Sequence, residues 1–285
     1  MAEPEMKRQD NPVLKRDDQG PDVMEAQGLL NRNGAILDPD GSFGGETTDA
    51  VREFQALRGI PVTGIIDTVT WRELRALPEP SRDIPSRAVA FIAREEVGSR
   101  RLYYANPRPA WPGGGSGVTI GIGYDLGYQA TFEADWAGLL TGSQMSALKQ
   151  WIGIRGNGAS AGLAALPGIA IPWNSAWTVF IGRSLPQSVG DTRNVFFRSS
   201  ELPRLCLGAL VSLVYNRGTS MTDPVNNPGS RKEMREIRDA LANGRFSDIP
   251  ASIRAMKRLW PEPNGLRDRR EREAKLFEIG LAGGE

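Results

Sequence analysis

Histidine is absent from the 285 residues of this chain. Its absence excludes histidine-ligated zinc sites and nucleophilic systems of the Ser-His or Cys-His type. Cysteine is nearly absent as well: Cys206 is the only one, so no internal disulfide can form. Cys206 lies in an apolar run, which favours a small buried hydrophobe over a nucleophile. Catalysis is therefore left to carboxylates, lysines, tyrosines and hydroxyls, and we expect neither a metal nor another cofactor.

Long hydrophobic segments are missing too. No apolar run is long enough to span a bilayer. Residues 1–17 are charged throughout and contain no apolar core, so they do not form a secretory signal peptide. We expect a protein made in the cytoplasm, and any work outside it would need a separate means of delivery.

The charge that is present is unevenly distributed. Residues 1–80 carry 9 Lys/Arg and 15 Asp/Glu, whereas residues 81–285 carry 26 and 19. A basic C-terminal part suits an anionic partner such as cell wall, nucleic acid or a membrane surface, although solvated helix faces would give the same balance. No nucleic-acid recognition motif accompanies the charge, so we expect no nucleic-acid partner.

Three prolines between residues 78 and 86 mark the break in the chain. They predict a semi-rigid linker over 78–86, between a domain of residues 1–77 and one of residues 87–285. Three short helices are predicted before the break, starting at Pro21, after Thr47 or Thr48, and after Asp67 or Thr68. After the break, helices are predicted over 87–97, 131–141, 142–152, 173–185, 201–215, 230–243, 247–259 and 266–281, with a short β segment at 118–124.

The first domain carries glycine-rich turns between its predicted helices. It resembles the peptidoglycan-binding domain type 1 family across residues 12–77. The matching residues include Gln27, Asp40-Gly41-Ser42-Phe43-Gly44, Thr47, Phe54-Gln55, Thr63-Gly64-Ile65-Ile66-Asp67 and Trp71. The resemblance implies a three-helix wall-anchoring module with ligand contacts around Asp40, Phe43, Gly44 and Thr47. Each of these has a structural alternative, namely a core phenylalanine, a turn glycine or a helix cap.

Glu96 stands out in the helix predicted at 87–97. Val89, Ile92 and Ala93 precede it by seven, four and three residues, which places Glu96 on the apolar stripe. Glu95 falls roughly 100° to one side and is expected to be an exposed helix carboxylate. An acid on a core-facing stripe is costly unless it is used or paired. The alternative is that the helix ends at Gly98 and Glu96 lies in solvent.

A glycine-rich segment follows, Ser116-Gly117-Val118-Thr119-Ile120-Gly121-Ile122-Gly123-Tyr124-Asp125. In one straight strand, Thr119 and Asp125 would lie roughly 20 Å apart. A turn around Gly121 and Gly123 would make them cross-strand neighbours, and the glycines would leave bare backbone for a sugar ring. The alternative is a plain hairpin with a turn aspartate.

These elements together resemble the phage-lysozyme superfamily, and within it the pesticin-like branch, in which the threonine precedes the aspartate. Ala209–Gly218 is similar to the central helix of that family, and residues 269–277 are similar to its C-terminal helix. The fold implied is mainly α: a three-helix wall-binding domain followed by an α+β lysozyme-like domain with a small β-hairpin lobe.

The resemblance implies a muramidase, which hydrolyses the β-1,4 bond between N-acetylmuramic acid and N-acetylglucosamine. Glu96 would be the proton donor, and Asp125 with Thr119 would position water or stabilise the oxocarbenium ion. The substrate-binding residues implied are Gly121, Gly123, Asn216 and Arg217; a helix end closed by Gly218 is the alternative for the last two. A lytic transglycosylase, and a non-catalytic wall-binding phage structural protein, remain alternatives.

The expected partner is bacterial peptidoglycan, with the protein acting as a monomer. The basic C-terminal helix is expected to offer a further contact to anionic outer-membrane lipids. A phage endolysin of this kind would be made in the host cytoplasm and would reach the wall or periplasm through a holin-type lesion.

Overall fold

The computed structural model describes residues 11–166 and 168–284. The first ten residues of the predicted N-terminal domain, Pro167 and Glu285 lie outside the described residues. The chain divides into two compact units, one ending at Pro80 and one beginning at Ser81. We call them the N-terminal and C-terminal units.

The N-terminal unit contains α1 (Pro21–Asn31), α2 (Gly45–Arg58) and α3 (Thr68–Arg75). Asp67 caps α3 by accepting a hydrogen bond from the Thr70 amide at 2.8 Å, as predicted. The predicted start of α2 is wrong, because the N-cap is Gly44, three residues before Thr47 and four before Thr48. Thr47 is instead buried inside the unit.

The core of this unit is aromatic and aliphatic. Phe43 and Trp71 are completely buried, and Phe54 is 2% exposed. Residues from α1, α2, α3 and the connecting loops complete the cluster, including Leu14 and Ile66, which also pair as an isolated β-bridge. The three large rings each bury a large apolar surface, which matters in a unit with so small a core.

Two buried glutamines tie the loops of this unit to its helices. Gln27 donates from Nε2 to Asp40 Oδ1, Ser42 O and Thr47 Oγ1, and its Oε1 accepts from the Gly41 amide. Each polar atom of the amide therefore has a partner, which removes the cost of burying it.

Gln55 repeats this arrangement one helix later. Its Nε2 donates to Thr63 Oγ1, Ile65 O and Thr70 Oγ1, and its Oε1 accepts from the amides of Thr63 and Gly64. In both cases a helix glutamine binds the following glycine loop and a threonine of the next helix. The glutamine precedes the bonded glycine by 14 residues in the first case and by 9 in the second.

The C-terminal unit is mainly helical, with one small sheet among its described residues. Its helices and strands are α4 (Ser86–Val97), α5 (Arg100–Ala105), β1 (Thr119–Ile120), β2 (Tyr124–Asp125), α6 (Phe132–Asp135), α7 (Gly142–Leu148), α8 (Asn157–Gly162), α9 (Trp173–Val179), α10 (Leu185–Val195), α11 (Arg204–Arg217), α12 (Lys232–Ala242), α13 (Ile249–Ala255) and α14 (Gly265–Leu281). The prediction of a mainly helical chain with a small β-hairpin is confirmed.

Helix α11 is the centre of this unit. It packs against α4, α10 and α14, and every residue from Leu205 to Val214 is buried. Cys206 faces α14, where its thiol contacts Phe277 O at 3.2 Å. The prediction of a small buried cysteine is confirmed, and burial raises the pKa of its thiol to about 12.

Several predicted elements differ from those observed. The β segment predicted at 118–124 forms two strands of only two residues each, joined by the predicted turn. The helix predicted over 131–141 is only the short α6. The helix predicted at 173–185 runs on to Val195, through a π-helical turn at Phe180–Ser184. Gly182, Pro186 and Gly190 concealed this continuation, because both residue types disfavour helix interiors. The sequence also gave no sign of α5 and α8.

The predicted linker residues 78–86 are partly packed. Glu79 forms an ion pair with Arg32, 2.8 Å apart, in the N-terminal unit. Ile84 is fully buried in the C-terminal unit, where Arg204 also donates to the carbonyl of Ser81 at 3.3 Å.

Within the described residues, no helix combines the length and apolar character needed to cross a membrane.

Candidate active site

Glu96 ends the apolar face of α4. Val89, Ile92 and Ala93 are fully buried, as their spacing predicts, and the Glu96 side chain is 20% exposed. Its Oε1 accepts a hydrogen bond from Arg269 Nη1 at 2.8 Å. This carboxyl group is therefore both paired with a cation and open to solvent.

The expectation that Glu95 is an exposed carboxylate is wrong. Its side chain is only 8% exposed, and its two oxygens accept from Arg272 Nε at 2.5 Å and Nη2 at 2.8 Å. Arg272 lies three residues after Arg269, on the same side of α14. One helix therefore supplies an arginine to each of the two glutamates.

Arg269 belongs to a buried cluster of three charged side chains and one hydroxyl, which we call the arginine cluster: Arg269, Arg270, Glu273 and Ser212. Arg269 donates to Glu273 Oε1 at 3.1 Å and to Ser212 Oγ at 3.2 Å. Burial acts to lower the pKa of Arg269, but the charges of Glu96 and Glu273 outweigh it and hold that pKa above its ordinary value. The cluster is a fixed cation directed at Glu96.

The hairpin brings Thr119 and Asp125 together. They are direct partners in the antiparallel register, as a turn around Gly121 and Gly123 predicts. Asp125 Oδ1 accepts from the backbone amides of Gly117 at 2.9 Å and Gly127 at 2.8 Å. Thr119 Oγ1 donates to the Gly117 carbonyl at 3.4 Å. Asp125 thus has a clear structural role in holding the hairpin.

The turn of the hairpin lies against Glu96. Gly123 has φ of 70°, and a Cβ there would be 3.2 Å from Glu96 Oε2 and 3.0 Å from the Tyr215 ring. A side chain at Gly123 would be strained by the positive φ and would press on both neighbours. Gly121, with φ of 58°, is similarly enclosed: a Cβ there would be 3.1 Å from Ala176 and 3.1 Å from Trp136. These glycines serve close packing, and their contact with glycan stays a prediction.

Tyr215 joins the hairpin to α11. Its hydroxyl donates to the Ile122 carbonyl at 2.6 Å, and its ring meets Phe180 edge-on at a centroid distance of 6.0 Å. Burial, and then the charge of Glu96, raise the pKa of Tyr215 far above its ordinary range, so the hydroxyl remains a donor. Neither Tyr215 nor Arg269 was assigned a role from the sequence.

Asn216 and Arg217, at the end of α11, point to different surroundings. Asn216 is exposed, and its Oδ1 accepts from Arg270 Nη2 at 2.9 Å. Arg217 donates to the Ser230 carbonyl at 2.5 Å and lies over Trp260. Burial, with help from nearby arginines, lowers its pKa to about 10. Asn216 therefore stays beside the arginine cluster, whereas Arg217 is used in packing.

The residues predicted to bind wall in the N-terminal unit are mostly used internally. Phe43 is fully buried and Thr47 is 2% exposed, so their structural alternatives fit the fold better. Asp40 is exposed but accepts from Gln27 and from the Ser42 amide. Gly44 is the N-cap of α2. Of the four, only Asp40 and Gly44 present surface to a ligand.

Several of the arginines of the basic C-terminal helix α14 are buried or paired inside the protein. Arg269 and Arg270 are buried, and Arg272 pairs with Glu95. Contact of α14 with anionic lipid stays a prediction. Among the described residues, no group of three or more Cys, Asp or Glu side chains is placed to hold a metal ion.

Residues 19–74 match the family described as "Putative peptidoglycan binding domain". The match covers most of the N-terminal unit and supports peptidoglycan as its partner. Over 65 residues, or 22% of this chain, the sequence is 38% identical to an uncharacterized protein in the bpoA1 3' region of Kitasatospora aureofaciens. The chain spans 55% of the length of that relative.

Among solved structures, the chain is similar to the Burkholderia AP3 phage endolysin at 18% identity, covering 95% of this chain and 100% of that one, with a TM-score of 0.23. A TM-score this low supports no statement about the fold or activity of this chain.

Proposed function

We propose that the chain is a peptidoglycan hydrolase of the endolysin type. Its N-terminal unit binds the wall, and its C-terminal unit cleaves the β-1,4 bond between N-acetylmuramic acid and N-acetylglucosamine. The observation that carries the proposal is Glu96: a partly exposed carboxyl group on an otherwise apolar helix face, paired with a buried arginine and facing a hairpin turn.

Glu96 is the proton donor in this proposal. In its protonated form it gives a proton to the glycosidic oxygen as the bond to the N-acetylmuramic acid C1 breaks. The carboxylate that remains is stabilised by Arg269, whose Nη1 lies 2.8 Å from Oε1. Water then supplies a hydroxyl group to C1, and its other proton restores the acid.

Asp125 and Thr119 are proposed to position that water or to stabilise the developing positive charge. A pair of substitutions separates this role from the structural one. Asp125→Asn keeps an oxygen for the Gly117 and Gly127 amides but removes the charge, whereas Asp125→Ala removes both. If Asp125→Asn folds but is inactive, the catalytic role is supported. If Asp125→Asn keeps parental activity and only Asp125→Ala loses it, Asp125 serves the hairpin alone.

A lytic transglycosylase is the second candidate, because the backbone amides already engage the Asp125 carboxylate. That reaction needs a single acid/base and no water-activating carboxylate. Dye release from purified peptidoglycan, followed by mass spectrometry, tests both candidates. A reducing-end N-acetylmuramic acid identifies the hydrolase, and a 1,6-anhydro end identifies the transglycosylase. If no fragments are released, the protein binds the wall without cleaving it.

Delivery is part of the same proposal. The protein is made in the host cytoplasm, acts as a monomer and reaches peptidoglycan after a holin-type lesion opens the membrane. Expression in bacterial cells with and without a co-expressed holin tests this. Lysis in both cases would contradict it.

A further inference from the structure

An exposed tyrosine lies beside the hairpin of the candidate site. The side chain of Tyr128 is 60% exposed. Its backbone amide donates to the Asp125 carbonyl at 3.1 Å. This hydrogen bond closes a turn, which brings the Cα atoms of the two residues to within roughly 7 Å of each other. Tyr128 therefore presents an aromatic surface next to a residue of the candidate site.

The ring of Tyr128 is held in one orientation. Its hydroxyl donates to the Gly115 carbonyl at 3.0 Å. The guanidinium of Arg155 covers one face of the ring, with Cζ 4.9 Å from the centroid, and the backbone of Arg155 pairs with Gly117 in an isolated β-bridge. The exposed surface of the ring is therefore its opposite face and its edge. A ring that is fixed before binding loses little side-chain entropy when a ligand packs against it.

The loop beside this ring consists of bare backbone. Residues 113–115 are all glycine, so a flat ligand can approach the chain closely. The loop is fixed at its end, because the Ser116 carbonyl accepts from Trp111 Nε1 at 3.0 Å and from the Gly156 amide at 2.9 Å. We call this surface the tyrosine platform: Tyr128, Arg155 and residues 113–115.

We propose that the tyrosine platform binds a sugar ring of the peptidoglycan glycan strand, adjacent to the bond that is cleaved. The inference rests on the proposed function, which brings the glycan to Glu96 and Asp125. The C–H bonds on the face of a pyranose ring pack well on an aromatic ring, whose face carries partial negative charge. Backbone amides and carbonyls of the glycine loop can bind the hydroxyl and N-acetyl groups of the same sugar.

The test uses the full chain and soluble, uncross-linked peptidoglycan strands, on which kcat and KM are measured separately. Tyr128→Ala should raise KM by about tenfold, because the ring is a major contact for the sugar. Its kcat should stay within about twofold of the parent, since this contact is equally strong before and during bond cleavage. Tyr128→Phe keeps the ring and loses only the bond to Gly115, so its KM should stay within about twofold. Thermal melting checks that each variant folds.

Phe197→Ala is the matched control. Phe197 is an aromatic residue of the same unit and is 74% exposed. It follows α10, whose Arg193 pairs with Asp83, just before the start of α4. Glu96 lies near the other end of α4, roughly 15 Å along the helix. Phe197→Ala should therefore have the kcat and KM of the parent.

A second arm separates the sugar from the stem peptide. Strands treated with an amidase, which removes the stem peptides, are added as competitors of intact strands. Their inhibition constant should be about tenfold higher for Tyr128→Ala than for the parent. An unchanged inhibition constant would mean that the platform does not bind sugar, which overturns the inference.

The remaining outcomes are equally distinct. Parental KM in Tyr128→Ala overturns the platform and leaves the proposed function standing. A KM that rises as much in Tyr128→Phe as in Tyr128→Ala assigns the effect to the hydroxyl that fixes the loop, and this too overturns stacking. If the parent cleaves neither intact strands nor insoluble peptidoglycan, the proposed function fails and this inference fails with it.

Discussion

Both units bury polar side chains, but the N-terminal unit buries neutral amides and the C-terminal unit buries charges. Gln27 and Gln55 each have partners for their side-chain donors and acceptor, all within their own unit. The arginine cluster instead extends to Glu96, which is 20% exposed. The two glutamine networks, which are centred on neutral amides, fix the positions of the loops.

A buried cluster of charges is a poor way to stabilise a fold, because desolvation of the ions consumes most of the attraction between them. Its retention in the C-terminal unit is better explained by what it does at its exposed end. Arg269 holds Glu96 in a defined position beside the hairpin turn. The comparison therefore predicts that substitutions in the glutamine networks affect stability and wall binding, whereas those at the arginine cluster also affect catalysis.

The largest expected effect is on Glu96. Glu96→Gln should lower dye release from purified peptidoglycan by roughly a hundredfold to ten-thousandfold, because an amide cannot donate the proton. Glu95→Gln is the matched control: it too loses one carboxylate paired with an arginine of α14, so the two variants should melt at similar temperatures. Glu95→Gln should stay within about fivefold of the parent. Near-parental lysis by Glu96→Gln would remove the basis of the proposed mechanism.

The next effect compares the two buried networks directly. Glu273→Gln leaves the buried arginines without their main counter-charge and should cost about 3 kcal/mol. Gln55→Leu leaves the Gly64 amide without its acceptor and removes one of the two partners of the Thr63 amide and of the Ile65 carbonyl. This loss should cost about 2 kcal/mol. Calorimetry of the full chain should show that Glu273→Gln shifts the unfolding transition of the C-terminal unit and that Gln55→Leu shifts the transition of the N-terminal unit. A smaller cost for Glu273→Gln than for Gln55→Leu would break the contrast between the networks.

The candidate site shows which features local sequence can predict. The position of Glu96 followed from three apolar residues within one helix, and the pairing of Thr119 with Asp125 followed from two glycines. The role of Arg269 could not be predicted, because Arg269 lies 173 residues from Glu96 and no local pattern connects the two. The error over Glu95 has the same origin, since its burial depends on Arg272 of a distant helix.

The fold shows the same limit. The helices with strong apolar periodicity were found to within a few residues, whereas the π-helical turn before α10 was missed because it depends on tertiary packing beside Tyr215. The glutamine networks were missed for a related reason. Gln27 and Gln55 are unremarkable polar residues until the loops that follow fold back onto them.

A smaller effect is expected for the hydroxyl that joins the hairpin to α11. Tyr215→Phe removes the donor to the Ile122 carbonyl and should cost about 1 kcal/mol. Tyr103→Phe is the control, since its hydroxyl also donates to a backbone carbonyl, that of Ile171 at 2.9 Å. Both should lower the melting temperature to a similar extent, but only Tyr215→Phe should lower kcat, because only Tyr215 fixes the hairpin beside Glu96. Equal kcat in the two variants would reduce Tyr215 to a packing residue.

The smallest effect lies on the outer face of α14, where ion pairs are partly solvated. Hydrogen bonds from Lys257 and then Arg254 lower the pKa of Glu271 to about 2 from 4.5. A lowered pKa in the folded state means that the pair stabilises the protein above pH 4.5 and that this stabilisation is lost as the pH falls towards 2. Glu271→Gln should therefore cost under about 1 kcal/mol at neutral pH, after allowance for screening by solvent. The difference in melting temperature from the parent should shrink in acid and in high salt. If the difference in melting temperature stays constant as the pH falls, Glu271 contributes through packing and not through its charge. The outer face of α14 would then not be stabilised by its ion pairs.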